Sequence, residues 1–221
     1  KGGSDNDVIE GGAQGDILYG DFGDGQHSWI WDGENSQVEL MAESIENGDY
    51  FGAPHFAGEK LTCPMPERQY DDGDEGADNI RGGSGNDLIY GEGGNDRLYG
   101  DAGNDFMLGG LGDDVVSGLW GDDVLYGNAG SDRMFGGTGD DIMEGNAGGD
   151  YMHGGGGRDI MFGNDGWDKM SGDAGCDLMV GNDGKDFMYG GTGDDVMCGG
   201  KVGDEMFGEG GDDYMEGNHG M

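Results

Sequence analysis

The 221-residue chain carries 56 glycines, 33% hydrophobic residues and 48 acidic against 10 basic side chains, for a formal charge of −38. That balance argues against a conventional apolar core, excludes nucleic acid as a natural partner, and leaves a chain that repels itself unless something cationic neutralises it. No run of about 18 apolar residues is present for a membrane span.

The chain opens on Lys1-Gly2-Gly3, as expected of a processed chain or a fragment. Its three cysteines, Cys63, Cys176 and Cys198, are odd in number, so at least one is expected to be free or to pair with another chain.

In chain order, residues 1–25 hold two nine-residue units, GGSDNDVIE and GGAQGDILY, and a third that begins at Gly20 and loses the register. Asp7 and Asp16 stand sixth in the two complete units.

Residues 26–72 abandon the repeat and are expected to form a small subdomain. Within them SQVELMAESIENG predicts a helix: Ser36 and Glu39 form a capping box, Val38, Met41 and Ile45 share a face, and Asn47-Gly48 ends it. Trp29 and Trp31 fall on one side of an extended stretch, where they either pack against the rest of the chain or stack on a sugar ring. Carbohydrate is therefore one candidate partner. The prolines of CPMPER predict an irregular connection.

From Gly73 the nine-residue step returns without insertion: GDEGADNIR, GGSGNDLIY, GEGGNDRLY, GDAGNDFML and onward to GEGGDDYME at 208–216, sixteen units in residues 73–221. Glycine recurs at the first, second and fourth positions, where it permits positive φ and lets turn carbonyls face inward. The sixth position is aspartate in all sixteen. A disordered acidic linker has no need of so strict a frame.

The units resemble G-G-x-G-x-D-x-U-x, the calcium-binding nonapeptide of the RTX (repeats-in-toxin) family. The resemblance covers about three quarters of the chain. It implies an all-β fold, a parallel β-roll or β-solenoid, with the non-repeat stretch as a small helix-containing insertion. Six residues of each unit would turn, three would form a short strand, and two units would complete a coil with calcium between adjacent turns.

On that reading Asp87, Asp105, Asp123, Asp141, Asp159, Asp177, Asp195 and Asp213 form one ladder of metal ligands, and Asp78, Asp96, Asp114, Asp132, Asp150, Asp168, Asp186 and Asp204 the other. Carboxylates one strand spacing apart, ~4.8 Å, repel unless neutralised. Calcium takes six to eight oxygen ligands and removes that repulsion. Seven gaps on each side give about 14 ions, which would bring the charge from −38 to about −10. Metal binding and folding are then expected to be one event.

The eighth position should point inward. It reads Ile80, Ile89, Leu98, Met107, Val116 and Leu125, then methionine at every unit from Met134 to Met215. Thioether side chains adapt to irregular gaps, so packing is the first reading and a soft-metal row the second.

The seventh and ninth positions should point outward. One sheet would then show Leu88, Tyr90, Phe106, Leu108, Val124, Tyr126, Ile142, Ile160, Phe162, Leu178, Val180, Val196 and Tyr214, broken by Glu144 and Glu216. Such an apolar surface is expected to be an interface. The other sheet mixes Arg97, Arg133, Lys169, Ser117 and His153 with scattered aromatics and reads as a solvated face.

No H-E-x-x-H, G-x-S-x-G or Walker-type motif occurs, and His27, His55, His153 and His219 lie in unrelated contexts, so no catalytic residue is assigned. The expected protein is secreted, because millimolar extracellular calcium suits carbonyl-rich sites. Its expected role is assembly into a homo-oligomer or filament through the apolar sheet and uncapped ends. The alternative is a stabilising or secretion module of a larger RTX enzyme, toxin or adhesin.

Overall fold

In the computed structural model the described residues are 8–10, 17–19 and 76–217. Eighteen parallel strands run through them: β1 (Val8–Glu10) and β2 (Ile17–Tyr19), then β3 (Asn79–Ser84), β4 (Leu88–Gly93) and onward at nine-residue steps to Tyr214–Glu216. They divide into two nine-stranded sheets, one of odd-numbered and one of even-numbered strands, so two repeats make one coil. The architecture is the parallel β-solenoid implied by the resemblance.

The chain pairs β1 with β3 and β2 with β4, in continuous register with the strands that follow. Residues 20–75 connect these coils. The helix expected at 36–48, the Trp29–Trp31 pair and the rest of the 26–72 segment lie outside the described residues, as do Asp7 and Asp16.

One expectation changes. The strands from Asn79 to Gly210 are six residues long, not three. Pairing covers the seventh, eighth and ninth positions and resumes at the second and third of the next unit, as in Ile142↔Ile160, Met143↔Met161, Glu144↔Phe162, Asn146↔Asn164 and Ala147↔Asp165. The first three residues of each unit continue the ladder because their partners eighteen residues on have the same conformation. Only the fourth to sixth positions remain as turn.

Each coil buries one eighth-position side chain from each sheet. Every one from Ile80 to Met197 has no solvent exposure. Met206 is partly buried and Met215 is 47% exposed, since no later coil of the described residues covers it. An unbranched, polarisable side chain fits this narrow interior, which supports the packing reading of the methionines.

The glycines obey two separate constraints. At the fourth position the backbone is left-handed, for example φ 130° at Gly139. At the first position Gly136 needs space instead: a Cβ there would lie 2.3 Å from Asp141 Oδ2 and 2.6 Å from the Gly154 carbonyl oxygen. The second position is also left-handed, but asparagine, aspartate, glutamate and once leucine share it with glycine, as at Asn146 (φ 76°) and Leu119 (φ 79°). Val202 takes the fourth-position place of glycine at φ 75°, a costly conformation for a β-branched residue.

Candidate calcium centres

The sixth-position aspartates sit where each turn enters a strand, with side chains folded inward. From Asp78 to Asp195 none is more than 3% exposed. Their placement follows from the hydrogen bonds. The backbone N–H of Asp123 donates to Oδ1 of Asp141 at 2.8 Å, that of Asp141 to Asp159 at 2.9 Å, and that of Asp159 to Asp177 at 2.8 Å. The other edge repeats the pattern, with Asp114 N–H donating to Asp132 and Asp132 N–H to Asp150, both at 2.8 Å. The two ladders of the sequence reading are therefore brought together, each step spanning eighteen residues. Asp204 and Asp213 close them as half-buried acceptors from Asp186 and Asp195 at 3.1 and 3.0 Å.

The second carboxylate oxygen has no such use. Oδ2 of Asp105 and of every ladder aspartate from there to Asp204 is buried without a hydrogen-bond partner. A buried ionised oxygen left in this way is strongly unfavourable. Burial accordingly pushes the carboxyl groups up from 3.8: Asp114 to about 8, Asp123, Asp132, Asp141 and Asp168 to about 7, and Asp159 and Asp186 to about 6. Neighbouring ladder carboxylates add to the rise, and the backbone N–H bond opposes it. At neutral pH the interior demands either protons or cations.

The surrounding donors are oxygens. The Gly136 cradle holds Asp141 Oδ2 beside the Gly154 carbonyl, and the repeat reproduces this at Gly145 with Asp150 and Gly163. Turn carbonyls also aim along the stack: a Cβ on Gly139 would lie 2.0 Å from the Gly121 carbonyl oxygen. No group of three or more His, Cys, Asp or Glu side chains converges among the described residues. An ion here would thus take no more than two carboxylates together with main-chain carbonyls, a hard, oxygen-only set that suits calcium and not a soft metal. The residues fit the ion.

A second ladder at the fifth position was not foreseen from the sequence. Asp122 N–H donates to Asn104 Oδ1 at 3.1 Å and Asp140 N–H to Asp122 Oδ1 at 2.9 Å, running opposite to the sixth-position ladder. Its signal was the run of Asn and Asp at Asn86, Asn104, Asp122 and Asp140. At the exposed Asp140 the Arg158 guanidinium, 2.6 Å away, holds the carboxyl below its ordinary value.

The side chains expected at an interface lie on the outer face of the even-strand sheet. Leu88 is buried, Ile142, Val196 and Tyr214 are exposed, and the others are half-buried. Glu144 does not leave this surface open, since its carboxylate accepts from Asn164 Nδ2 at 3.1 Å.

Fold and site together define a parallel β-roll with buried carboxylates and main-chain carbonyls along its turns. The RTX calcium-binding nonapeptide repeat family matches residues 1–26 and, in overlapping copies, 72–204, well over half of the chain. The chain belongs to that family, whose repeats bind calcium, and its buried aspartates fit that ion. No curated protein matches it. No helix among the described residues is long and apolar enough to cross a membrane.

Proposed function

We propose that the chain is an extracellular, non-enzymatic structural protein that folds on calcium and assembles with further copies through the outer face of the even-strand sheet. About 14 ions held by the sixth-position aspartates would neutralise most of the interior charge. The observation that carries the assembly reading is the seventh-position column. Phe106, Val124, Ile142, Ile160, Leu178 and Val196 are paired directly, strand to strand, with no charged residue between them. Millimolar calcium outside cells supports the extracellular assignment.

The test is negative-stain electron microscopy and sedimentation velocity in millimolar calcium, with chelator-treated chain and the Ile142→Glu/Ile160→Glu variant beside it. Ordered assemblies that dissolve on chelation and fail to form in the variant are expected. Monodisperse single rolls of the parent chain in calcium would overturn the assembly reading.

A second reading makes the roll a stabilising or secretion module of a larger RTX enzyme, toxin or adhesin. It is favoured by the pairing of β1 and β2 with β3 and β4 across residues 20–75, a roll carrying a long non-repeat segment. In either case Trp29 and Trp31 are candidates for carbohydrate binding, tested by retention on glycan columns before and after replacement of both by alanine.

A further inference from the structure

The outer face of the odd-strand sheet gathers cations that the acidic molecule leaves unneutralised. Arg97, Arg133 and Lys169 occupy the seventh position on every second strand, aligned through Val115 and Tyr151. Two strand spacings separate each from the next, ~9.6 Å. Arg81, Arg158, Lys185 and Lys201 all pair with carboxylates. Among the described residues Arg97, Arg133 and Lys169 have no such partner.

Aromatic rings hold two of these three instead. Arg133 lies over Phe135 and Tyr151, 6.0 and 5.7 Å from the ring centroids, and Lys169 over Tyr151 and Tyr189 at 5.1 and 5.8 Å. In a chain with 48 acidic side chains, cations placed on rings rather than on carboxylates keep their charge available to an outside anion.

We propose that this face binds a linear carboxylated polysaccharide lying along the roll axis, its carboxylates on Arg97, Arg133 and Lys169 and its sugar rings against Tyr151 and Tyr189. One strand spacing approximates one pyranose ring of an extended glycan, so a carboxylate on alternate sugars meets a cation on alternate strands. Charge density sets this occupant apart from nucleic acid. A nucleic-acid strand carries a charge about every 3.4 Å, so roughly two of every three phosphates would lack a cation and face a strongly negative protein. The proposal concerns the sheet opposite the one assigned to self-assembly and stands apart from that reading.

The probe is a fluorescent hyaluronate oligosaccharide, with one carboxylate per disaccharide, titrated by anisotropy with the full chain in buffered calcium. Saturable binding weakened by salt is expected. Arg133→Gln/Lys169→Gln should lower affinity about tenfold, whereas Arg158→Gln/Lys201→Gln, which removes the same charge from a turn and from the end of a strand in the other sheet, should change it less than about twofold. Circular dichroism in calcium checks that each variant folds, and Arg97→Gln alone supplies an independent loss of about threefold should the double variant fail to fold. Absence of saturable binding to the folded chain, equal losses in the two double variants, or equal affinity for single-stranded oligothymidylate would overturn the proposal.

Discussion

The two sheets share one interior and present different outer faces. Beneath each runs its own file of buried eighth-position side chains, and a ladder of buried aspartates lines each edge. Outside, the even-strand sheet shows Phe106, Val124, Ile142 and Ile160, and the odd-strand sheet Arg97, Val115, Arg133, Tyr151 and Lys169 at the equivalent position. Stacking fixes the first, fourth, sixth and eighth positions, because each touches its own copy one coil away. The seventh and ninth touch solvent and are free to specialise. Changes inside should therefore cost folding, and changes outside should cost partners.

The largest effect expected comes from pH in the absence of divalent cations, because it acts on many interior carboxylates at once. Their folded-state values stand above the unfolded 3.8, at about 6 for Asp159, about 7 for Asp141 and about 8 for Asp114. The folded state then binds more protons, so this contribution is fully present below the unfolded value and is lost as pH rises through about 6 to 8. Chelated chain should gain strand signal in far-ultraviolet circular dichroism on acidification and lose it by mild alkali. Asp140, held down by Arg158 on the surface, works in the opposite direction.

Next in size is the core. Met152→Ala removes a side chain with no solvent exposure and should cost about 2–5 kcal/mol, read from denaturant unfolding in saturating calcium. Gly136→Ala tests the cradle: its methyl group would crowd Asp141 Oδ2 and the Gly154 carbonyl oxygen, costing about 1–3 kcal/mol together with weaker calcium binding by calorimetry. At the small end, Ile160→Gln on the outer face should move unfolding by less than about 0.5 kcal/mol while reducing assembly measured by sedimentation. A large folding loss there would erase the distinction between inside and outside.

The nine-residue frame made most of the roll legible. Aspartate at Asp105, Asp123 and Asp141 and methionine from Met134 onward name the ladder and the core, because a solenoid repeats its contacts along with its residues. Less was legible where a residue's role depends on what stands eighteen positions away. The strands lengthen to six residues through main-chain pairing, which leaves little mark on side-chain choice. First-position glycine looked like a demand for positive φ, but Gly136 is required for the room it leaves beside Asp141. The aromatics beside Arg133 and Lys169 looked scattered until strand register brought Tyr151 between them. Val202, an L-residue at a glycine position, follows from no repeat rule.

The most direct test counts calcium bound per chain by equilibrium dialysis while circular dichroism follows strand content across the same titration. Buried carboxylate oxygens that need a cation predict that ions and strands appear together, saturating at about 14 per chain, and that chelation reverses both. Full strand content at neutral pH without divalent cations, with calcium binding only afterwards, would contradict the account.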